Sequence, residues 1–305
     1  MRVLITGATG FIGKHLCLKL IADNHEVMAV SRTGNDSLND FNNRKLSNNI
    51  IWLHSTLQIS SKNLEAIAAF SPEVLIHLAW EKIPDFSFDI SYENLQNQLF
   101  FFRNILTVSS IRKVISAGSC WEYNKNFGQC RIDESCLSKD YFTWAKNSIH
   151  DFLRFECETK NISLCWARIF YVYGPYQREG SLVPTLIRSI CSGSVPDLRS
   201  PANANDFIYI DDVVSAFMQM VNQPDAKGIY NIGSGRSTSN INICRMVEIS
   251  LKSNTTLSDT LAERTANIPA SSDFWADIES SHTLLNWTPV VTMQEGIKQM
   301  IQFIK

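Results

Sequence analysis

No stretch of this 305-residue chain approaches the roughly 18 consecutive apolar residues that a membrane-spanning helix needs, so no bilayer span is expected. Nor does either sign of charge prevail: 28 Lys and Arg stand against 30 Asp and Glu, for a formal net charge of -2. That balance supplies no broad positive field, and binding to the phosphate backbone of a nucleic acid has little electrostatic support. A small anionic ligand is compatible with it, because a few placed donors suffice. Eight cysteines are present, at positions 17, 120, 130, 136, 157, 165, 191 and 244, but none pairs as C-x-x-C and no histidine cluster has zinc-ligand spacing. They are expected as reduced, mostly buried thiols, and no metal site is expected. The opening run of about five residues ends at Gly7, too short for the apolar core of a secretory signal. Together these absences describe a cytoplasmic protein with neither a membrane nor a nucleic-acid partner.

With 45% apolar and 19% charged residues, a chain of this length can bury one large core, or the core of a nucleotide-binding domain beside that of a smaller lobe. Short β-rich runs at 3–6, 26–31, 50–53, 74–78, 113–117 and 163–169 alternate with longer stretches of helical pattern. That alternation predicts βαβ units and a parallel sheet covered on both faces. The Asn-, Ser- and Asp-rich stretch 33–49 is expected as a loop with a short helix. Beyond about residue 170 the elements shorten between glycines and prolines such as Gly174-Pro175, Pro201, Gly228 and Gly233. We expect residues 1–170 to form the first domain, with a return segment near 206–221, and residues 171–305 to form mainly a smaller C-terminal lobe. No repeat, low-complexity tract or linker marks the boundary.

Gly7-Ala8-Thr9-Gly10-Phe11-Ile12-Gly13 follows an apolar strand and precedes an amphipathic stretch, 14–23. Small residues there let the backbone approach a pyrophosphate, whose charge is met by N–H groups at a helix N-terminus. A tight turn or a helix cap would also use glycines, but strand before and helix after favour the dinucleotide reading. The predicted architecture is a Rossmann-type doubly wound parallel sheet. The second strand ends in Ser31-Arg32 without a carboxylate for the adenosine ribose, and Asp36 lies too far along the loop. NADP(H) is therefore favoured over NAD(H), with Arg32 facing a 2′-phosphate.

Further motifs occur in order along nearly the whole chain: Val74-Leu-Ile-His-Leu-Ala79, Arg168-Ile-Phe-Tyr-Val-Tyr-Gly-Pro175, Asp206-Phe-Ile-Tyr-Ile-Asp-Asp212, Tyr230-Asn-Ile-Gly-Ser-Gly235 and Leu285-Asn-Trp-Thr-Pro289. With the glycine turn they resemble the extended short-chain dehydrogenase/reductase family, in its NAD-dependent epimerase/dehydratase group of nucleotide-sugar enzymes. The resemblance implies cofactor contacts at Gly7, Thr9, Gly10, Phe11, Ile12, Gly13, Ser31, Arg32, Leu78, Ala79 and Lys146. It also implies a nucleoside-diphosphate sugar as partner, with substrate contacts at Ser119, Cys120, Trp121, Tyr171 and Val183, and the diphosphate-anchoring role that Asn205 cannot fill is expected to fall to one of Arg178, Arg188 and Arg199. A homodimer would form through helices around 99–109 and 146–155, whose apolar stripes suit packing on the sheet equally well.

The family's catalytic Ser, Tyr and Lys place Ser119 and Lys146 here, but the tyrosine position of Tyr-x-x-x-Lys holds Phe142, with Tyr141 one residue early. At 3.6 residues per turn Phe142 shares the face of Lys146 and Tyr141 does not. Tyr141 is the candidate acid only if the helix begins after it or bulges there. Cys120 and Trp121 stand where dehydratases carry acids, and Tyr171 and Asn205 replace the motif's Asn and Arg. These features favour reduction of a 4-keto-deoxyhexose nucleotide, or epimerisation through a transient ketone, over 4,6-dehydration. The alternative is a catalytically silent, cofactor-binding regulatory or scaffold protein of a sugar pathway, because of Phe142.

Overall fold

The computed structural model describes residues 1–33, 49–195, 198, 200–252 and 256–305. Most of the stretch expected as a loop, 34–48, lies outside the described residues, and so does Arg199. Seven strands build the main sheet: β1 (Arg2–Thr6), β2 (Glu26–Ser31), β3 (Ile50–His54), β4 (Val74–His77), β5 (Lys113–Ser119), β6 (Ser163–Ile169) and β7 (Gly228–Ile232). All neighbours run parallel, in the order β7-β6-β5-β4-β1-β2-β3. β1 is an interior strand next to the central β4, with Val3 in register with Val27 on one side and Val74 on the other. A strand covered on both faces reads as a continuous apolar run, which is why Val3, Leu4 and Ile5 are all fully buried.

Because side chains alternate across a strand, those three residues feed two cores. Val3 and Ile5 pack with apolar residues of helices α1 (Phe11–Ala22), α5 (Leu182–Cys191) and α6 (Ile210–Asn222). Leu4 packs with α2 (Ser61–Phe70), α3 (Phe88–Ile105) and α4 (Tyr141–Thr159) on the other face. The chain thus returns to the main layers with the helix at 210–222 and, beyond the expected segment, with a seventh strand at 228–232.

The remaining strands form a small four-stranded sheet from 238–239, 204–205, 273–276 and 127–130, and a parallel pair between 171–173 and 207–209. Asp206 joins the C-terminal motifs in space. Its buried carboxylate accepts the N–H groups of Ser234 (2.6 Å), Gly235 (3.0 Å) and Ala276 (3.1 Å), so one acid ties three segments together. Burial pushes this carboxyl's pKa up, and the four donors, Ser234 Oγ included, oppose that shift.

Candidate functional site

The turn after β1 is shaped by what a side chain would collide with. Gly7 has φ +71°, and a Cβ there would lie 2.8 Å from the Ala79 nitrogen. A Cβ on Gly13 would lie 2.1 Å from the Gly7 carbonyl oxygen, so helix α1 can approach the turn only through glycine. Gly10 caps α1 without a side-chain bond, which leaves the first N–H groups of the helix to serve a ligand. Beside this turn opens a cavity of about 220 Å³ that Gly7, Thr9, Gly10, Ser31, Arg32, Leu78 and Ala79 all line. A backbone cradle at a helix N-terminus suits the pyrophosphate of a dinucleotide. Phe11, Ile12 and Gly13 do not line the cavity; they form the first turn of α1 behind it.

Two neighbours went unnoticed in the sequence. Trp80 and Glu81 line the same cavity, and Glu81 Oε2 accepts from Arg32 Nη1 at 3.1 Å. The segment that follows β4 thus brings a carboxylate to the end of β2, paired with Arg32. Its position directly after the Leu78-Ala79 motif was the available signal.

Lys146 stands at the other end of the site. Its Nζ donates to the Ala117 carbonyl at 2.8 Å and lies 4.4 Å from the centroid of the Trp80 ring. Burial lowers its pKa to about 8, partly opposed by Glu122. Ser119 closes the same strand two residues beyond Ala117, and its Oγ accepts the Trp121 N–H at 3.2 Å. A serine hydroxyl that accepts in this way keeps its own proton available to donate. Lys146 is thus tied to β5 at Ala117, two residues before Ser119 closes that strand.

Tyr141 does not join them. Asp140 caps α4 by accepting the Thr143 N–H at 2.7 Å, so the helix is continuous from Tyr141 onward without a bulge. Its ring consequently points away, is 53% exposed and meets Phe88 edge-on at 5.2 Å. Phe142 takes the inward face, 4.9 Å from both Trp80 and Phe86 and 6.0 Å from Trp121. Trp80, Phe86, Trp121 and Phe142 form an aromatic wall on the helix face that Lys146 shares.

The expected substrate contacts separate. Trp121 Nε1 donates to the Tyr171 hydroxyl at 3.0 Å, which links two of them. Cys120 instead packs among Tyr123, Cys130, Phe170 and Phe274, and burial pushes its thiol pKa well up, so it is a core residue. Val183 is likewise core: it shares the buried stripe of α5 with Leu186, Ile187 and Ile190, a helical spacing that marks an interior face. Arg188 is engaged at the surface with Glu179 at 3.1 Å. Asn205 is buried, and its Oδ1 has no partner among the described residues.

Beneath the turn between Ser119 and Tyr123 lies a buried ion pair that sequence reading passed over. Glu122 accepts from Ser119 N (2.7 Å), Trp166 Nε1 (2.9 Å) and Arg168 Nε (3.1 Å). Among the described residues no group of three or more His, Cys, Asp and Glu could hold a metal ion, and no helix is long and apolar enough to cross a membrane.

A parallel sheet in this order, with a glycine cradle at one end of the cleft and a buried lysine at the other, defines a dinucleotide-binding protein of Rossmann type. The chain belongs to the NAD dependent epimerase/dehydratase family, whose model matches residues 3–233. Among curated proteins it is 27% identical to the dTDP-4-dehydro-6-deoxyglucose reductase of Escherichia coli, covering 99% of this chain and 97% of that one. It is 25% identical to the CDP-abequose synthase of Salmonella muenchen, over 98% and 97% of the two chains. Among solved structures it is similar in fold to a UDP-glucose 4-epimerase from Thermotoga maritima with UDP-glucose, at a TM-score of 0.82, 21% identity and coverage of 99% and 98%. A Bacillus cereus UDP-glucuronic acid 4-epimerase in complex with NAD matches at a TM-score of 0.79, 22% identity and coverage of 100% and 96%. The relatives of this chain are thus NAD-dependent reductases, epimerases and dehydratases of nucleotide sugars.

Proposed function

We propose that this chain reduces a 4-keto-deoxyhexose carried on a nucleoside diphosphate, with epimerisation through a transient ketone as the nearest variant. The observation that carries the reading is the bond of Lys146 to Ala117, two residues before Ser119 on β5, with Lys146 against the Trp80 ring that lines the glycine-cradle cavity and without acids at 120 and 121. A bound nicotinamide dinucleotide supplies the hydride. Lys146 would hold its ribose, releasing the Ala117 carbonyl or sharing its protons with it, since an ammonium has three. Ser119 hydrogen-bonds to the sugar oxygen through its free O–H, keeping that proton, and steadies the charge that develops there. The C-terminal lobe, with Trp121 and Tyr171 at its border, covers the sugar nucleotide.

Absorbance at 340 nm tests the activity, with purified protein, NADPH and dTDP-4-dehydro-6-deoxyglucose or its CDP, GDP and UDP counterparts. Loss of signal with one of them is expected, together with thermal stabilisation by the matching nucleoside diphosphate. Cofactor binding without turnover or stabilisation by any of them would instead establish the silent reading, which the inward-facing Phe142 favours. The proposal extends to a cytoplasmic homodimer through α3 and α4, whose outer faces carry the exposed Phe100 and Phe155.

Within the same proposal NADPH is preferred to NADH, supported by Arg32 at the cavity rim. The ion pair with Glu81 sets the size of the preference, because a 2′-phosphate must compete with that carboxylate. Arg32→Ala is expected to weaken NADPH binding by about 3- to 10-fold, a charge-assisted bond discounted for exposure, and to leave NADH unchanged. Glu81→Gln should strengthen NADPH binding by freeing the guanidinium. Titration calorimetry with both cofactors decides the point, and equal effects on the two would remove the preference.

A further inference from the structure

We propose that Tyr171 supplies the phenol of this site, donating its O–H to the reacting sugar oxygen in place of the tyrosine that position 142 lacks. The inference rests on the proposed nucleotide-sugar chemistry.

The tyrosines can be sorted by where their protons go. Tyr123 donates to Asn231 Oδ1 (2.6 Å), Tyr209 to Gln299 Oε1 (2.8 Å), Tyr230 to the Lys227 carbonyl (2.9 Å) and Tyr173 to the Met293 carbonyl (3.4 Å). Tyr92 and Tyr141 are exposed, and Tyr176 packs on Phe303, at 4.7 Å, away from the end of β5. Tyr171 differs from all of them. An indole N–H can only donate, so the 3.0 Å bond from Trp121 makes the Tyr171 oxygen an acceptor, and no acceptor for its own proton is found among the described residues.

Position favours the same residue. Trp121 gives its backbone N–H to Ser119 Oγ and its ring N–H to Tyr171, so a single residue holds two hydroxyls that each retain a proton. The same ring packs against Phe142. The wall that replaces the expected phenol is therefore continuous with the residue that presents another. Tyr171 is fixed from behind by Phe207 (5.5 Å) and Phe274 (6.1 Å), and its N–H is held by the Asp206 carbonyl (3.0 Å). Burial raises its pKa further above the ordinary phenol value, so the O–H stays protonated well above neutral pH.

In the reducing direction the ketone carbon accepts hydride from a reduced nicotinamide dinucleotide, and the carbonyl π pair moves onto oxygen. That oxygen takes the Tyr171 proton as the phenolic O–H bond breaks, and the phenolate recovers a proton from water.

Tyr171→Phe removes the oxygen and keeps the ring. On the full-length chain with NADPH and dTDP-4-dehydro-6-deoxyglucose, the single-turnover rate of hydride transfer is expected to fall by about 10²- to 10⁴-fold. NADPH affinity should stay near that of the wild type, the thermal midpoint should fall only as far as the loss of the acceptor for the Trp121 N–H requires, and Tyr141→Phe should leave the rate unchanged. A purely structural tyrosine would lower the midpoint in the same way but leave the rate within about threefold of the wild type, and that rate overturns the proposal. If the wild type reduces no ketone, the proposed function fails by itself and affinity decides the role of Tyr171. Tyr171→Phe must then weaken binding of dTDP-glucose at least about fivefold while leaving dTDP unchanged, and equal affinities overturn the assignment.

Discussion

Glu122→Ala is expected to destabilise the fold by about 3–5 kcal/mol, the usual cost of breaking a buried ion pair from one side. The carboxylate is wholly buried and Arg168 is only 4% exposed, so water cannot take over the lost partner. Arg168 Nη1 already lacks a partner among the described residues, and the truncation would strand Nε as well, along with Trp166 Nε1 and the Ser119 N–H. Urea unfolding measures the loss, and a change below about 1 kcal/mol would show that the pair contributes little. The double variant Glu122→Gln with Arg168→Met should recover much of the stability, since the penalty lies in the orphaned charge more than in the absence of the pair.

Lys146→Met should do the opposite: dinucleotide affinity falls at least about 30-fold and turnover by about 10²- to 10⁴-fold, while the apo protein loses no stability. The folded protein holds this lysine with a pKa of about 8, against an ordinary value of 10.5, because burial disfavours its charge. Below pH 8 the lysine is protonated both folded and unfolded, and the folded state bears the full cost of the buried charge. Between about pH 8 and 10.5 the unfolded chain binds the extra proton, so this group makes stability rise with pH across that window. The methionine variant lacks that rise. Its loss of the bond to Ala117 and of the contact with Trp80 offsets part of the gain at neutral pH. Calorimetric titration together with thermal melts from pH 7 to 10 checks both halves, and unchanged cofactor affinity would remove Lys146 from the site.

The contrast between these two residues mirrors what could be read from the chain. Lys146 and Ser119 were visible because each belongs to a local motif, and so was the cradle from Gly7 to Gly13, whose geometry is imposed by neighbours in sequence. The face occupied by Phe142 followed from helical periodicity, and the cap at Asp140 is what makes that periodicity apply from Tyr141 onward. Glu122 was illegible because its partners are 44 and 46 residues away, brought to it by the pairing of β5 with β6. Glu81 stayed hidden for a similar reason: it meets Arg32 across 49 residues at the mouth of the cleft. Val183, offered as a substrate contact, shares with Leu186, Ile187 and Ile190 the buried face of α5, a helical spacing that is legible in the sequence. Tyr171 was legible as a substitution, but the direction of its proton depends on an indole 50 residues away.

The seventh strand sets a lower bound on how small a working version of this protein can be. β6 is an interior strand, and Cys165 to Ile169 are buried between β5 and β7. A fragment ending near residue 170 would keep the cradle, Ser119 and Lys146, yet it would leave β6 as an uncovered edge with its hydrogen-bonding groups unpaired and apolar side chains along it. Such an edge is a template for intermolecular pairing. A minimal dinucleotide-binding fragment must therefore run at least through Ile232, and ribosomal synthesis leaves the sheet sticky for the roughly 60 residues between those two points, a stretch in which chaperone protection would matter most.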